Sequence, residues 1–350
     1  MDSACPHEGG PLELGDVEDM GTGKLALICP WHQFDFCLED GHSSTGFQNQ
    51  VYEVHISEGK VYIQTQSSLS RAPQQASGTL LCGKYLSLNI VTLTDQVEKW
   101  WTSGKIREVG HGDVPPQPSR QENLKVLQPG RIKRGKGGTL ASRIALLHSL
   151  ANIEQWAIDL SWDIIARFSM VKLKNGRSLP LEFFSDFVRV AGEEAKHYKL
   201  LANRIKELGS YFGALPVHNG LWQSASDTAS DLLARLAIVH MVHEARGLDV
   251  HPQMLARFAA QADQSSVRLL EIIYRDEITH VATGLRWFTY ICSEEEKDTL
   301  ATFHNLVRTY FKGYLKPPFN TEGRKIAGMS EQWYLPLIKP SQSELGSGVP

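Results

Sequence analysis

The chain has 350 residues, 42% of them hydrophobic, with a formal net charge of -3 and a pI near 6.5. That length predicts one large or two ordinary domains with ample apolar material for a core. The near-neutral charge excludes a global electrostatic pull toward nucleic acid. No apolar run reaches bilayer-spanning length, and the polar, acidic start does not read as a secretory signal.

The first motif is Cys5-Pro6-His7, answered by Cys29-Pro30-Trp31-His32. Two thiolates and two imidazoles in this pairing can ligate a Rieske 2Fe-2S cluster, with both Cys on one iron and both His on the other. Zinc also takes Cys2His2 sets, but its usual spacings pair Cys with Cys and His with His. Here each half carries one of each, which favours the cluster. The remaining thiols, Cys37, Cys82 and Cys292, are too few and too scattered for a disulfide framework. Free thiols suit a reducing, cytoplasmic compartment.

Residues 1–66 read as short strands and turns. Lys24–Ile28 is a strand entering the second cluster loop, and 51–64 is a hairpin of alternating faces. The run Cys5-Pro6-His7-Glu8-Gly9-Gly10-Pro11-Leu12 with Cys29-Pro30-Trp31-His32 closely resembles the Rieske ferredoxin family. Neither loop carries the extra Cys that clamps respiratory Rieske proteins, so the resemblance is to the ferredoxin and dioxygenase branch. Gln33 stands where that family has Gly. The chain starts four residues before Cys5, while the family fold begins with strands upstream. A small all-β domain is therefore expected that is N-terminally truncated or completed by other strands.

Residues 67–79 are Ser/Gln-rich and predict a linker. Residues 80–138 predict a mixed docking segment, with Trp100-Trp101 packed down, and then an extended Pro- and Gly-rich connector. The basic run Arg131-Ile132-Lys133-Arg134-Gly135-Lys136 reads as part of a solvated connector.

From Thr139 onward helical periodicity dominates. Long helices are expected near 139–169, 181–208, 228–247 and 265–292, with a shorter one at 252–262. Ser293-Glu294-Glu295-Glu296 reads as a capping box opening another helix near 294–312. The all-α region is expected to span 139–325, followed by a tail over 326–350.

The four long helices carry a lone Glu154, then Glu194-Ala195-Lys196-His197, then a lone Glu244, then Glu277-Ile278-Thr279-His280. A helix puts i and i+3 on one face, so each Glu-x-x-His aims a carboxylate and an imidazole at one point. Two such helices plus two giving one Glu each make the ligand set of a di-iron carboxylate four-helix bundle. Ile153 and Trp156 flank Glu154, and Ile273 and Ile278 flank Glu277. Burying carboxylates there without a cation costs several kcal/mol each. Oxygen-rich ligands with imidazole suit iron or manganese. Glu193 and Asp276, each one residue before a ligand Glu, are expected to accept a ligand His N–H and orient the ring. His148, His240 and His243 are expected as packed core histidines, and Tyr198 as a core residue.

The stretch from about residue 80 to 325 resembles a bacterial family of ferritin-like proteins. The residues that carry the resemblance are Ala145-Leu146-Leu147-His148 with Ile153-Glu154, and Glu193-Glu194-Ala195-Lys196-His197. Leu215-Pro216-Val217-His218 and His243-Glu244-Ala245-Arg246-Gly247-Leu248-Asp249 extend it. Arg275-Asp276-Glu277-Ile278-Thr279-His280-Val281 and Lys316-Pro317-Pro318-Phe319-Asn320 complete it. The resemblance implies a ferritin-like di-metal bundle and a family-specific surface at 244–252.

Together these features predict a multi-domain chain: a small Rieske-type domain fused to an all-α ferritin-like four-helix bundle. The expected function is an iron-dependent oxidoreductase. Its 2Fe-2S cluster would feed electrons to two Fe or Mn ions that activate O2 to hydroxylate or desaturate a substrate. An upstream reductase and a second copy of the chain are the expected protein partners. The competing classes are a non-catalytic iron-binding or electron-carrier protein and a scaffold with a degenerate metal site.

Overall fold

The computed structural model describes residues 5–6, 12, 15–20, 24–29, 34–49, 51, 53–57, 60–64, 79–80, 90–110, 114–118, 120, 124–128 and 135–339. Residues 53–57, 60–64 and 79–80 are described in their backbone alone. His7, His32, Gln33, Cys82, residues 131–134 of the basic run, linker positions 67–78 and positions 340–350 lie outside the described residues. The chain divides into two compact units, residues 1–76 and 77–350.

In the first unit, β1 (Asp16–Asp19), β2 (Leu25–Ile28) and β3 (Asp35–Cys37) form an antiparallel sheet in sequence order. A separate antiparallel hairpin joins β4 (Glu53–Ser57) to β5 (Lys60–Gln64), with Val54 opposite Ile63. A small apolar cluster gathers Cys5, Leu12, Cys29 and Phe36. Both cysteines are fully buried, and the Cys29 N–H donates to the Phe34 carbonyl at 2.8 Å.

The second unit is largely helical. A two-residue parallel pairing of β6 (Thr79–Leu80) with β7 (Glu108–Val109) flanks α1 (Ile90–Thr102). Trp101 docks, donating its indole N–H to Ser185 Oγ at 3.0 Å, whereas Trp100 stays exposed beneath Lys105. Four long helical rods then run side by side. They are α2 (Leu140–Arg167), α3 (Leu181–Glu207), a rod over Leu232–Ala259, and α7 (Gln264–Glu294). The first two pack along each other, as do the last two, and α3 also packs on α7. Thr139 caps α2 in a reciprocal box with Ser142, and Asp263 caps α7 by accepting from Ser266 N at 3.1 Å. α3 is amphipathic, burying Phe183, Phe187, Ala191, Glu194, Ala195, His197 and Leu201 along one face.

Helices α4 (Gly220–Asp227), α8 (Thr299–Tyr310), α9 (Thr321–Ile326) and α10 (Glu331–Tyr334) complete the unit. Residues expected as tail are packed in part, since Met329, Tyr334 and Leu337 are buried in the main core.

Two expectations are corrected. The rod over Leu232–Ala259 is continuous, where the sequence predicts separate helices at 228–247 and 252–262. It comprises α5 (Leu232–Ala237), a π-helical turn (Ile238–His243) and α6 (Glu244–Ala259), with Pro252 inside α6. Proline has no N–H for the carbonyl four residues back, Leu248, which is the usual reason a helix stops. Here Asn320 Nδ2 donates to that carbonyl at 3.1 Å, so the helix continues. The other correction concerns Ser293–Glu296, which closes α7 instead of opening a new helix. The next helix, α8, is capped by Asp298, which accepts from Ala301 N at 2.7 Å. The acidic run is used by the preceding loop instead: Lys174, Asn175 and Arg177 bind Glu294, Glu295 and Glu296.

Candidate metal centre

Glu154, Glu194, His197, Glu244, Glu277 and His280 come from all four rods and meet at one place. The six form two sets of four ligand atoms, each set within 4.8 Å. One set is Glu154, Glu194, His197 and Glu277; the other is Glu194, Glu244, Glu277 and His280. Glu194 and Glu277 belong to both, the arrangement needed to bridge two ions. The centre lies between two apolar clusters. Leu147, Leu201, Phe258 and Leu270 occupy one side, and Ile158, Phe187, Met241 and Trp287 the other. Glu154, Glu194, His197 and His280 are buried, while Glu244 and Glu277 are half-buried and mark the more open side.

The imidazoles turn Nδ1 inward. His197 Nδ1 lies 3.5 Å from Glu154, 3.4 Å from Glu194 and 3.7 Å from Glu277. His280 Nδ1 lies 3.0 Å from Glu194 Oε1 and 3.8 Å from Glu277. The outer nitrogens are tied to carboxylates of the neighbouring helix: His280 Nε2 to Glu193 at 2.8 Å and His197 Nε2 to Asp276 at 2.9 Å. An ionised carboxylate only accepts, so the proton sits on each Nε2 and this bond sets the tautomer. Arg189 in turn donates to Glu193, and Lys196 pairs with Asp276.

Whether these residues fit a cation is decided by their polar atoms. Glu194 Oε1 and His280 Nδ1 are buried and close, yet neither makes a hydrogen bond. The two atoms converge on a common point, where a cation would take the place of a proton. Protonation tells the same story. Burial, then the Glu194 charge, pushes Glu154 up to about 8. Burial, then Glu194, pushes Glu244 up to about 7, and the same two causes with Glu244 drive Glu277 well above the carboxylate range. Burial also acts upward on Glu194, but the His280 charge and the bond from His197 hold it well below that range. Burial acts downward on both histidines. It is overcome in His197 by Asp276 and Glu154, and in His280 by Glu194 and Glu193, so both are raised. Four carboxyls in one apolar core thus need positive charge, and protons supply it where no cation does. The oxygen and imidazole donor set fits iron or manganese.

The other histidines sort by contact. His148 accepts the Gly213 N–H at 2.8 Å and stacks on Phe212, a core role. His243 meets Ser224 Oγ at 2.9 Å. Tyr198 packs edge-on against Phe212. His240 is buried against Phe187 with its Nε2 unpartnered, a feature with no local sequence signal.

A soluble Rieske-type ferredoxin profile matches residues 1–44. A human Rieske domain-containing protein is 31% identical over 80 residues, 18% of this chain and 50% of that protein, so this chain spans half of that relative. The N-terminal region is thus a Rieske-type domain, which points to iron-sulfur binding or electron transfer. Of the four residues expected to bind an iron-sulfur cluster, Cys5 and Cys29 share one buried apolar cluster, while His7 and His32 lie outside the described residues. Among the described residues no helix is long and apolar enough to cross a membrane. No solved structure matches the chain. An uncharacterized protein of Haemophilus influenzae is 35% identical over 209 residues, 59% of this chain and 71% of that protein. The profile described as "Protein of unknown function (DUF455)" matches residues 88–335, and the chain belongs to that family.

Proposed function

We propose that this chain is an iron-dependent oxidoreductase. In this reading a Rieske 2Fe-2S cluster supplies electrons to a di-iron centre held in a ferritin-like bundle of the four rods. The observation that carries it is the pair of four-residue sets sharing Glu194 and Glu277, with Glu194 Oε1 and His280 Nδ1 orphaned between them. Glu154 and His197 would hold one Fe or Mn ion and Glu244 and His280 the other, with Glu194 and Glu277 bridging. Cys5, His7, Cys29 and His32 would hold the cluster. A reduced di-iron pair supplies the power to activate O2 for hydroxylation or desaturation.

The chain's own residues do the rest. Glu193 and Asp276 hold the protons on His280 Nε2 and His197 Nε2 and keep each Nδ1 lone pair inward. Leu147, Leu270, Ile158 and Phe187 keep bulk water from the buried ligands. The half-buried Glu244 and Glu277 leave one side for an incoming molecule. An upstream reductase, a second copy of the chain and a cytoplasmic setting belong to the same proposal.

Anaerobic iron reconstitution followed by Mössbauer and EPR spectroscopy tests it. Two bundle irons, a Rieske signal and reductant-dependent O2 consumption are the expected result. Absence of bundle iron overturns the proposal. Two irons that consume no O2 would favour the iron-binding or electron-carrier alternative.

A further inference from the structure

We propose that His240 is the hydrogen-bonding partner of a small anionic or oxygen-bearing ligand seated on the core side of the metal pair. The inference rests on the di-metal reading above and assigns the site beside it.

His240 stands one turn before Glu244 on the same rod. Gly284 stands one turn after His280 on α7, and a Cβ there would collide with the His240 carbonyl. The two backbones therefore touch at this level, one turn from two ligands on facing helices. The ring meets Phe187 edge-on at 4.8 Å. The layer is otherwise apolar: Ile158, Phe187, Ala191 and Val281 are each at most 1% exposed. His240 itself is 3% exposed, and its Nε2 has no hydrogen-bond partner.

That nitrogen is not explained by the metals, because His240 belongs to neither ligand set. It is not explained by packing either, since a buried imidazole nitrogen left unpaired is costly. His251 also has an unpartnered Nε2, but its ring is stacked on Tyr274 and is not acted on by the site's charges. His240 stands one turn from Glu244 and its backbone meets Gly284, one turn from His280, so it lies beside the centre, where the Glu194 and His280 charges act on it. Burial, then the Arg235 charge, keeps it neutral, with one N–H and one lone pair available. The π-helical turn adds a residue to the ring of backbone and re-aims the side chains it carries, a device found at functional sites. A neutral hydrogen-bonding group against apolar side chains, within reach of the Arg235 charge, suits a ligand of few atoms with one polar end.

Azide titration of the iron-loaded full chain, followed optically, tests the assignment with wild type, His240→Phe and His240→Gln. Two bundle irons per chain, beyond the two of the cluster, are expected in all three. Azide affinity is expected to fall about tenfold in His240→Phe, the loss of one hydrogen bond. In His240→Gln, which keeps an N–H, it should return to within about threefold of wild type. Wild-type azide affinity in a fully loaded His240→Phe overturns the proposal. Loss of iron in both variants also overturns it, by making His240 part of the metal-holding structure. A wild-type protein whose bundle takes up no iron instead refutes the di-metal reading beneath it.

Discussion

The Glu193 carboxylate accepts the Nε2 proton of His280 at 2.8 Å, while its neighbour Glu194 faces Nδ1 of the same ring at 3.0 Å. Asp276 serves His197 in the reciprocal sense, at 2.9 Å. The pattern is crossed: the acid preceding a ligand on α3 orients the imidazole of α7, and the acid preceding a ligand on α7 orients that of α3. Packing of the two helices is thereby converted into ring orientation.

Removing an orienting acid should weaken metal binding without removing a ligand. Glu193→Ala and Asp276→Ala are each expected to lower metal affinity about 10–100-fold. Competition with a chelator during ferrous or cobaltous titration measures this, alongside an unchanged circular dichroism spectrum. Unaltered affinity in both would show that the crossed bonds do not tune the centre.

Asn320→Ala should destabilise the helical unit by about 1–3 kcal/mol, because it orphans the Leu248 carbonyl that Pro252 cannot serve. The same side chain also donates to Tyr274 Oη at 2.8 Å. Adding Pro252→Ala restores the missing backbone N–H and should recover part of the loss. Urea melts of the two single variants and the double variant measure the coupling; strictly additive effects would refute the compensation.

Arg235 is completely buried and paired with Asp163, with further bonds to Thr228 Oγ1 and the Ala225 carbonyl. Arg235→Met leaves Asp163 paired with Arg167 alone at the rim of the core. Breaking such a pair from one side costs about 3–5 kcal/mol. Thermal denaturation should show it as a large drop in Tm.

The convergence of the six residues is legible in the sequence because helix geometry places residues three apart on one face, and the two Glu-x-x-His pairs and two lone Glu fall on four long periodic stretches. The Cys5 and Cys29 motif is legible for the same kind of reason, a spacing with few alternatives. What escapes is whatever depends on distant partners. The rod runs through Pro252 because Asn320 supplies the donor from the C-terminal segment. The acids of Ser293–Glu296 look like a helix start, yet they bind the loop around Asn175. The π-helical turn at His240 lies where its backbone closely approaches Gly284, and neither residue announces the other.

His251 makes an acid-sensitive contribution. Burial depresses its pKa to about 4, below the ordinary imidazole value of 6.5. Below pH 6.5 the unfolded chain therefore binds a proton that the folded chain refuses. The stability from this group is complete above pH 6.5 and is lost as pH falls toward 4. Between pH 7 and 4.5 the loss is roughly 2–3 kcal/mol. His251→Phe keeps the ring stacked on Tyr274 and should flatten that part of the pH profile in denaturant melts.

Sharing of Glu194 between both ligand sets is the central claim, and counting metal ions in two variants tests it most directly. Glu154→Ala touches one set alone and should leave about one bundle iron per chain at saturating ferrous iron, against about two in wild type, in addition to the two of the cluster. Glu194→Ala touches both sets and should leave no bundle iron, only the cluster's two, with the Rieske signal intact. Equal iron content in the two variants, or full occupancy in Glu194→Ala, would contradict a bridged pair.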